Sequence, residues 1–106
     1  MAGQAFQALG DANRRAIVEE LGRGERSVVE LTRRLRISQP AVSRHLRLLR
    51  EAGLVEEQPI GTKHIYHLRD EGVLAARAYF EEVWGEAAAR FRLAAANTSR
   101  RRSARK

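Results

Sequence analysis

Cysteine is absent from the 106 residues, which excludes disulfide staples, thiolate metal ligands and a cysteine nucleophile, and fits a reducing compartment. Long apolar runs are absent as well: no stretch approaches the roughly 20 residues needed to cross a bilayer. The first residues, MAGQ, carry neither the basic nor the apolar region of a secretory signal. The expectation is a soluble, cytoplasmic chain. Aromatics make up only 6% of the sequence, and the exposed sheet aromatics on which single-strand readers stack bases are missing. No acid/base pair clusters in a Gly-lined pocket and no phosphate-loop pattern occurs, so no enzymatic chemistry is expected. Nothing assembles the three histidines, His45, His64 and His67, with carboxylates into a ligand set, and His64 and His67 fall on opposite faces of a strand by parity. Neither a metal nor a cofactor is expected.

What is present is one domain's worth of apolar residues, 43% of the chain, and an excess of positive charge. The formal charge is +7 and the pI near 11.2, which favours a polyanionic partner because each cation placed on a phosphate releases counterions. Five of those charges, Arg100, Arg101, Arg102, Arg105 and Lys106, lie at the C-terminal end and leave residues 1–99 at +2. Residues 97–106 read as a basic, disordered tail behind a folded domain of residues 1–96. Such a tail is either a solubilising segment or a sequence-blind DNA clamp. Within the domain, residues 33–50 contain Arg33, Arg34, Arg36, Arg44, Arg47 and Arg50 and no acid. A solvated helical face is the plain account of such a run. Its coincidence with the motif described next favours a nucleic-acid surface.

Phe6 and Leu9 fall in a short first helix interrupted at Gly10, and Asp11 caps a second helix carrying Ile17, Val18 and Leu21 and ended by Gly22 and Gly24. Ser27 with Glu30 has the spacing of a capping box, followed by Val28, Leu31 and Leu35 on a helix over 28–35. After the turn Arg36-Ile37-Ser38, Ser38 caps a fourth helix with Pro40 in its first turn, where a missing N–H is harmless. Val42, Leu46 and Leu49 form its buried stripe, while Gln39, Ser43 and Arg47 share another face with Arg44 beside them. Gly53 closes the helix. Residues 54–68 read as a hairpin with Gly61-Thr62 near its tip and Pro59 marking an edge or irregular strand. From Asp70 the period is helical again. Val73, Ala76, Phe80, Val83 and Ala87 recur at steps of three and four, flanked by Trp84 and Phe91.

A helix, a three-residue turn, a second helix with a polar face and then a hairpin is the order of a winged helix-turn-helix. The expected fold is therefore mainly α with a small β-hairpin: five helices and a two-stranded wing, α-α-α-α-β-β-α. A recognition helix presents its N-terminal residues to base edges in the major groove, which makes Gln39, Ser43, Arg44 and Arg47 the candidate base readers. Arg forks onto guanine O6 and N7, Gln pairs with adenine N6 and N7, and Ser bonds to either. For Gln39 and Ser43, local capping or plain surface placement is an equally good account. Ser38, His45 and Arg50 are placed for phosphates or capping, and Thr62, Lys63 and His64 at the wing tip for the flanking backbone or minor groove.

Phe6 to Ile17 (FQALGDANRRAI), Ser38 to Val55 (SQPAVSRHLRLLREAGLV) and the wing end Ile65 to Leu68 (IYHL) resemble the ArsR-type bacterial repressors over about residues 5–92. The likeness is greatest to the cysteine-free SdpR-like branch, whose small repressors commonly control their own operon. The resemblance implies a homodimer in which first and last helices pair and two recognition helices enter successive major grooves of operator DNA. It carries Gln39, Ser43, Arg44 and His45 over as recognition-helix positions and Lys63 as the wing contact. The expected dimer interface is Phe6, Leu9, Val73, Phe80, Val83, Trp84 and Phe91. A role of the last-helix aromatics in the monomer core or in a small-molecule pocket is the alternative. The helix Val28–Leu35 has no cysteine and the last helix no histidine, unlike the family's metal sensors. The expected function is a sequence-specific duplex-DNA-binding regulator, a homodimeric and autoregulatory repressor of an inverted-repeat operator. The competing reading is a protein-interaction module whose last helix docks a non-self partner.

Overall fold

The computed structural model describes the backbone of residues 2–104 and the side chains of residues 3–97. Its elements are α1 (Ala2–Ala8), α2 (Ala12–Arg23), β1 (Arg26–Ser27), α3 (Val28–Leu35), α4 (Gln39–Glu51), β2 (Val55–Ile60), β3 (Lys63–Leu68) and α5 (Asp70–Ala104). The five helices are those expected, and β2 and β3 form the expected hairpin. The chain divides into two compact units, Met1–Ala76 and Arg77–Lys106.

The helix boundaries follow from local chemistry. Asp11 caps α2 by accepting from the amides of Asn13 and Arg14, and Ser27 and Glu30 form a reciprocal capping box at α3, so side chains satisfy two amides at the start of each helix. Ser38 Oγ accepts from the Ala41 amide at α4 (3.3 Å). One glycine behaves differently from expectation, and one closes its helix as expected. Gly22 stays inside α2, which runs on to Arg23 before Gly24 caps it. Gly53 lies one residue past the cap, Ala52, with φ +78. Its amide bonds to the Arg50 carbonyl and the Leu54 amide to the Leu49 carbonyl, each at 3.0 Å, the double closure of a Schellman motif. The turn between α3 and α4 passes through Arg36 at φ 57, the one non-glycine residue with positive φ among those described.

The core of the first unit lies where α2, α3 and α4 meet β2: Ile17, Leu31, Val42, Leu46 and Leu49 are fully buried, with Leu21, Leu54 and Val55 beside them. The i, i+4, i+7 stripe of α4 is thus spent on packing, which turns its other faces outward. Phe6 and Leu9 are half-buried against this core.

The wing differs from expectation by one strand. Arg26 and Ser27 pair with Tyr66 and Ile65, giving a three-stranded antiparallel sheet in the order β1-β3-β2. The residues before the α3 cap are already extended, and β3 offers them a free edge. β2 is the other edge and so tolerates Pro59. Ile60 pairs with Lys63 around Gly61-Thr62, and Gly61, first of the two loop residues, takes φ +61, which matches a II′ hairpin turn.

In the second unit the backbone of α5 continues through Ala104, past residue 96, where composition alone predicts an end to ordered chain. No Gly or Pro after Gly85 interrupts the helix. Beyond Asn97, the expected tail, 97–106, falls on residues outside those whose side chains are described. Within this unit Phe80 and Trp84 stack with centroids 6.0 Å apart, and Arg77–Glu81 and Arg90–Glu86 pair at i, i+4. Phe80, Val83, Trp84 and Phe91 are exposed, Phe91 by 74%. Among the described residues no helix is long and apolar enough to cross a membrane.

Candidate nucleic-acid interface

Burying Val42, Leu46 and Leu49 leaves Gln39, Ser43, Arg44 and Arg47 on the exposed surface of α4. Gln39 and Ser43 line an open groove of about 740 Å³ whose opposite wall is the wing, with Thr62, Lys63, His64 and Tyr66, and whose floor includes Val28, Val29 and Arg33 of α3. Five of the ten expected DNA-binding residues therefore share one concavity. Arg44 and Arg47 stand outside it on the same exposed helix, Arg47 beside Arg50. Ser38 is exposed. Its hydroxyl oxygen is used as the cap acceptor, which leaves its O–H able to donate.

Charge in this region is unevenly committed. Among the described residues, Arg34 is ion-paired to Glu20 (3.4 Å) and Arg50 to Glu57 (2.9 Å), whereas Arg33, Arg36, Arg44 and Arg47 form no salt bridge. The freely presented cations are thus those of the α3–α4 turn and the recognition helix, with Lys63 at the wing tip.

Of the expected phosphate and wing contacts, Arg50 and His64 are engaged within the protein and His45 is half-buried. His45 Nδ1 is enclosed and without a hydrogen-bond partner among the described residues. The Asp11 carboxyl is held below its usual range by the Arg14 and Asn13 amides, with help from the charge of His45. His64 and Arg50 both converge on Glu57: His64 through Nδ1, Arg50 through a guanidinium N–H, and Tyr66 joins them by donating its hydroxyl at 3.2 Å. The bond from His64, then that from Tyr66 and the charge of Arg50, hold the Glu57 carboxyl below the ordinary glutamate range. Burial, followed by the charge of Glu57, pushes the Tyr66 hydroxyl up.

Glu57, Tyr66 and Val29 are absent from the residues expected by sequence, and Arg33 is among them only as part of the basic segment 33–50. A signal for the first two was present: a two-residue loop at Gly61-Thr62 fixes the pairing Glu57↔Tyr66 and Pro59↔His64, and the pleat then puts Glu57, Tyr66 and His64 on one face. Val29 and Arg33 lie one turn apart on α3, and their place in the groove depends on the α3–α4 crossing, which no local pattern reveals.

Among the described residues no three His, Asp or Glu side chains gather as a metal ion would need. The groove's lining of hydroxyls, an amide, Lys63 and Arg33 is suited to hydrogen bonding, and Glu30 and Glu57 set two carboxylates among these groups.

Comparison with known proteins agrees with this geometry. Residues 11–57 match the family described as "Bacterial regulatory protein, arsR family". The chain is 46% identical over 84 residues to the HTH-type transcriptional regulator Rv2034 of Mycobacterium tuberculosis, covering 79% of this chain and 78% of that protein. It is 39% identical over 71 residues to the arsenical resistance operon repressor of Bacillus subtilis, covering 66% and 68%. Among solved structures, the homodimeric winged helix-turn-helix DNA-binding domain of a possible ArsR-family regulator from Mycobacterium bovis superposes with a TM-score of 0.65 at 28% identity, covering 79% and 78%. The helix-turn-helix, the wing and these relatives together place the chain in the ArsR family: it is a DNA-binding transcription regulator, not an enzyme.

Proposed function

We propose that two copies of this chain bind an inverted repeat in operator DNA and repress transcription, including that of their own operon, in the cytoplasm. Each α4 enters a major groove, where Gln39, Ser43, Arg44 and Arg47 read base edges. Ser38 and the wing residues Thr62 and Lys63 bind the flanking phosphates, with His45 and His64 at the margins. The observation that carries this reading is the groove that joins the exposed N-terminal face of α4 to the wing tip. Half-sites lie about one helical turn, ~34 Å, apart.

Dimerisation is supported by the exposed apolar residues of α5, Phe80, Val83, Trp84 and Phe91, since a short domain does not leave such a stripe in water without cost. Val73 continues the stripe towards the start of α5, and Phe6 of α1 and Leu9, in the turn after it, are further proposed interface residues. The Mycobacterium bovis relative is described as a homodimer.

Fluorescence anisotropy of the purified protein against a duplex from its own upstream region and a scrambled duplex of equal length, at two salt concentrations, tests the proposal. A preference of at least a thousand-fold for the upstream duplex, with affinity falling as salt rises, supports it. Equal binding of both duplexes contradicts operator recognition at that site. No binding at either salt, with a non-self protein captured through α5, moves the function to the interaction-module reading.

A further inference from the structure

We propose that Glu57 is a specificity-determining residue: it holds Arg50 away from the phosphate backbone while fixing the wing against the recognition helix, and so lowers sequence-blind affinity without touching base readout. The inference rests on the DNA-binding reading above.

Its basis is an asymmetry in the acid-free arginine segment. Arg44 and Arg47 are exposed and form no salt bridge among the described residues, whereas Arg50, one turn further along the same helix, is tied to Glu57 at 2.9 Å. Glu57 is itself largely enclosed, its side chain 19% exposed. It accepts from three side chains on two elements: Arg50 of α4, and His64 and Tyr66 of β3. A carboxylate with three donors is a firmer anchor than an isolated surface pair. A DNA phosphate approaching Arg50 also meets the charge of Glu57, and like charges brought together disfavour the contact.

The consequence is a matter of which contacts carry sequence information. Phosphate contacts strengthen binding to every duplex, and each adds about 0.9 to the slope of log affinity against log salt. Base contacts strengthen binding to one sequence only. Neutralising Arg50 inside the protein therefore removes a sequence-blind contribution and leaves Gln39, Ser43 and Arg44 as they were. The same carboxylate joins the end of α4 to both wing strands, which holds the wing at one setting relative to the helix that reads bases.

Glu57→Gln tests this, because the amide keeps the size of the side chain and loses its charge. Anisotropy titrations across a range of salt, on the upstream and scrambled duplexes, should show the salt slope steepening by about 0.9 for each Arg50 released, ~1.8 for a dimer. The scrambled duplex should bind several-fold more tightly, and the ratio of the two affinities should fall. A residue that merely supports the wing gives the reverse, weaker binding with a flatter slope. An unchanged slope and ratio, or a flatter slope, overturns the inference.

Arg50→Ala keeps the question decidable if Glu57→Gln does not fold. With Glu57 in place, loss of Arg50 should leave the slope within ~0.3 of its original value, and in the Glu57→Gln background it should cancel the steepening. A flattening by about 0.9 per subunit in Arg50→Ala alone shows Arg50 on a phosphate despite Glu57 and overturns the inference. Failure of the unmodified protein to bind either duplex is a different result, since it removes the DNA-binding reading on which the inference stands.

Discussion

Arg44 and Lys63 are both exposed cations, and the proposed function gives them different roles on a duplex. The planar fork of Arg44 on the recognition helix matches guanine O6 and N7, whereas the single ammonium of Lys63 at the wing tip acts as a point charge. Arg44→Ala should cost about 1–3 kcal/mol on the operator and little on scrambled DNA. Lys63→Ala should weaken both duplexes alike and flatten the salt slope by about one per subunit. Equal losses on both duplexes for Arg44→Ala would refute base reading by that residue. The carboxylates supply a further prediction. Glu30 is held low by the Ser27 amide, Asp11 by the Arg14 amide and Glu57 by His64. A carboxyl whose folded pKa is depressed contributes its full stabilisation above its unfolded value and loses it as pH falls through the folded one. The melting temperature should therefore fall on acidification through and below the ordinary carboxylate range, where the unfolded chain takes up protons before these folded carboxyls do. A melting temperature that rises over that range contradicts the assignment of these caps.

At the scale of elements, the start of α5 packs on the end of α4 through two glycines. A Cβ at Gly72 would lie 1.8 Å from the Gly53 carbonyl oxygen and 2.7 Å from its carbon, and Gly53 is fixed in the left-handed region by the Schellman closure. Gly72→Ala should thus displace the N-terminal turn of α5 and cost more than ~3 kcal/mol, read as a fall in melting temperature well beyond that of an Ala substitution at Gly85, where nothing lies within 4 Å. Similar melting temperatures for the two variants would show that this approach is not tight. Ser27→Ala, which removes one arm of the capping box, should cost about 1 kcal/mol in denaturant unfolding. These elements also mark how far sequence carries. The Asp11, Ser27 and Ser38 caps, the Val42, Leu46, Leu49 stripe and the two-residue loop at Gly61-Thr62 are all local, and local patterns expose them. The Gly53–Gly72 approach, the pairing of Arg26 and Ser27 with β3 and the recruitment of Arg50 by Glu57 join residues that only the assembled fold makes neighbours. Gly22 shows the opposite error, since a helix already capped and packed through Ile17 and Leu21 outweighs one residue's poor propensity.

At the scale of the whole molecule, the proposed two-fold site requires two recognition helices at a set separation, a task that falls to the last helix in that proposal. The exposure of Phe80, Val83, Trp84 and Phe91 was legible from the steps of three and four in the sequence. The partner across that stripe was not, because a seam between copies and a seam within one chain have the same periodicity. Trp84→Ser should weaken self-association by about 2 kcal/mol, roughly thirty-fold in dissociation constant, as measured by sedimentation equilibrium. Operator affinity should fall with it, while a single half-site binds as before. A monomer in the unmodified protein at micromolar concentration contradicts the dimer.

The most direct test of the central claim is a footprint of the protein on its upstream duplex, with hydroxyl radical reporting the backbone and dimethyl sulfate reporting guanine N7 in the major groove. The account predicts two protected half-sites with centres ~34 Å apart, each with protected guanines that become reactive again in Arg44→Ala while the backbone protection remains. Protection of the backbone with every guanine N7 still reactive would contradict readout by α4, and would leave a protein that binds DNA without reading it through that helix.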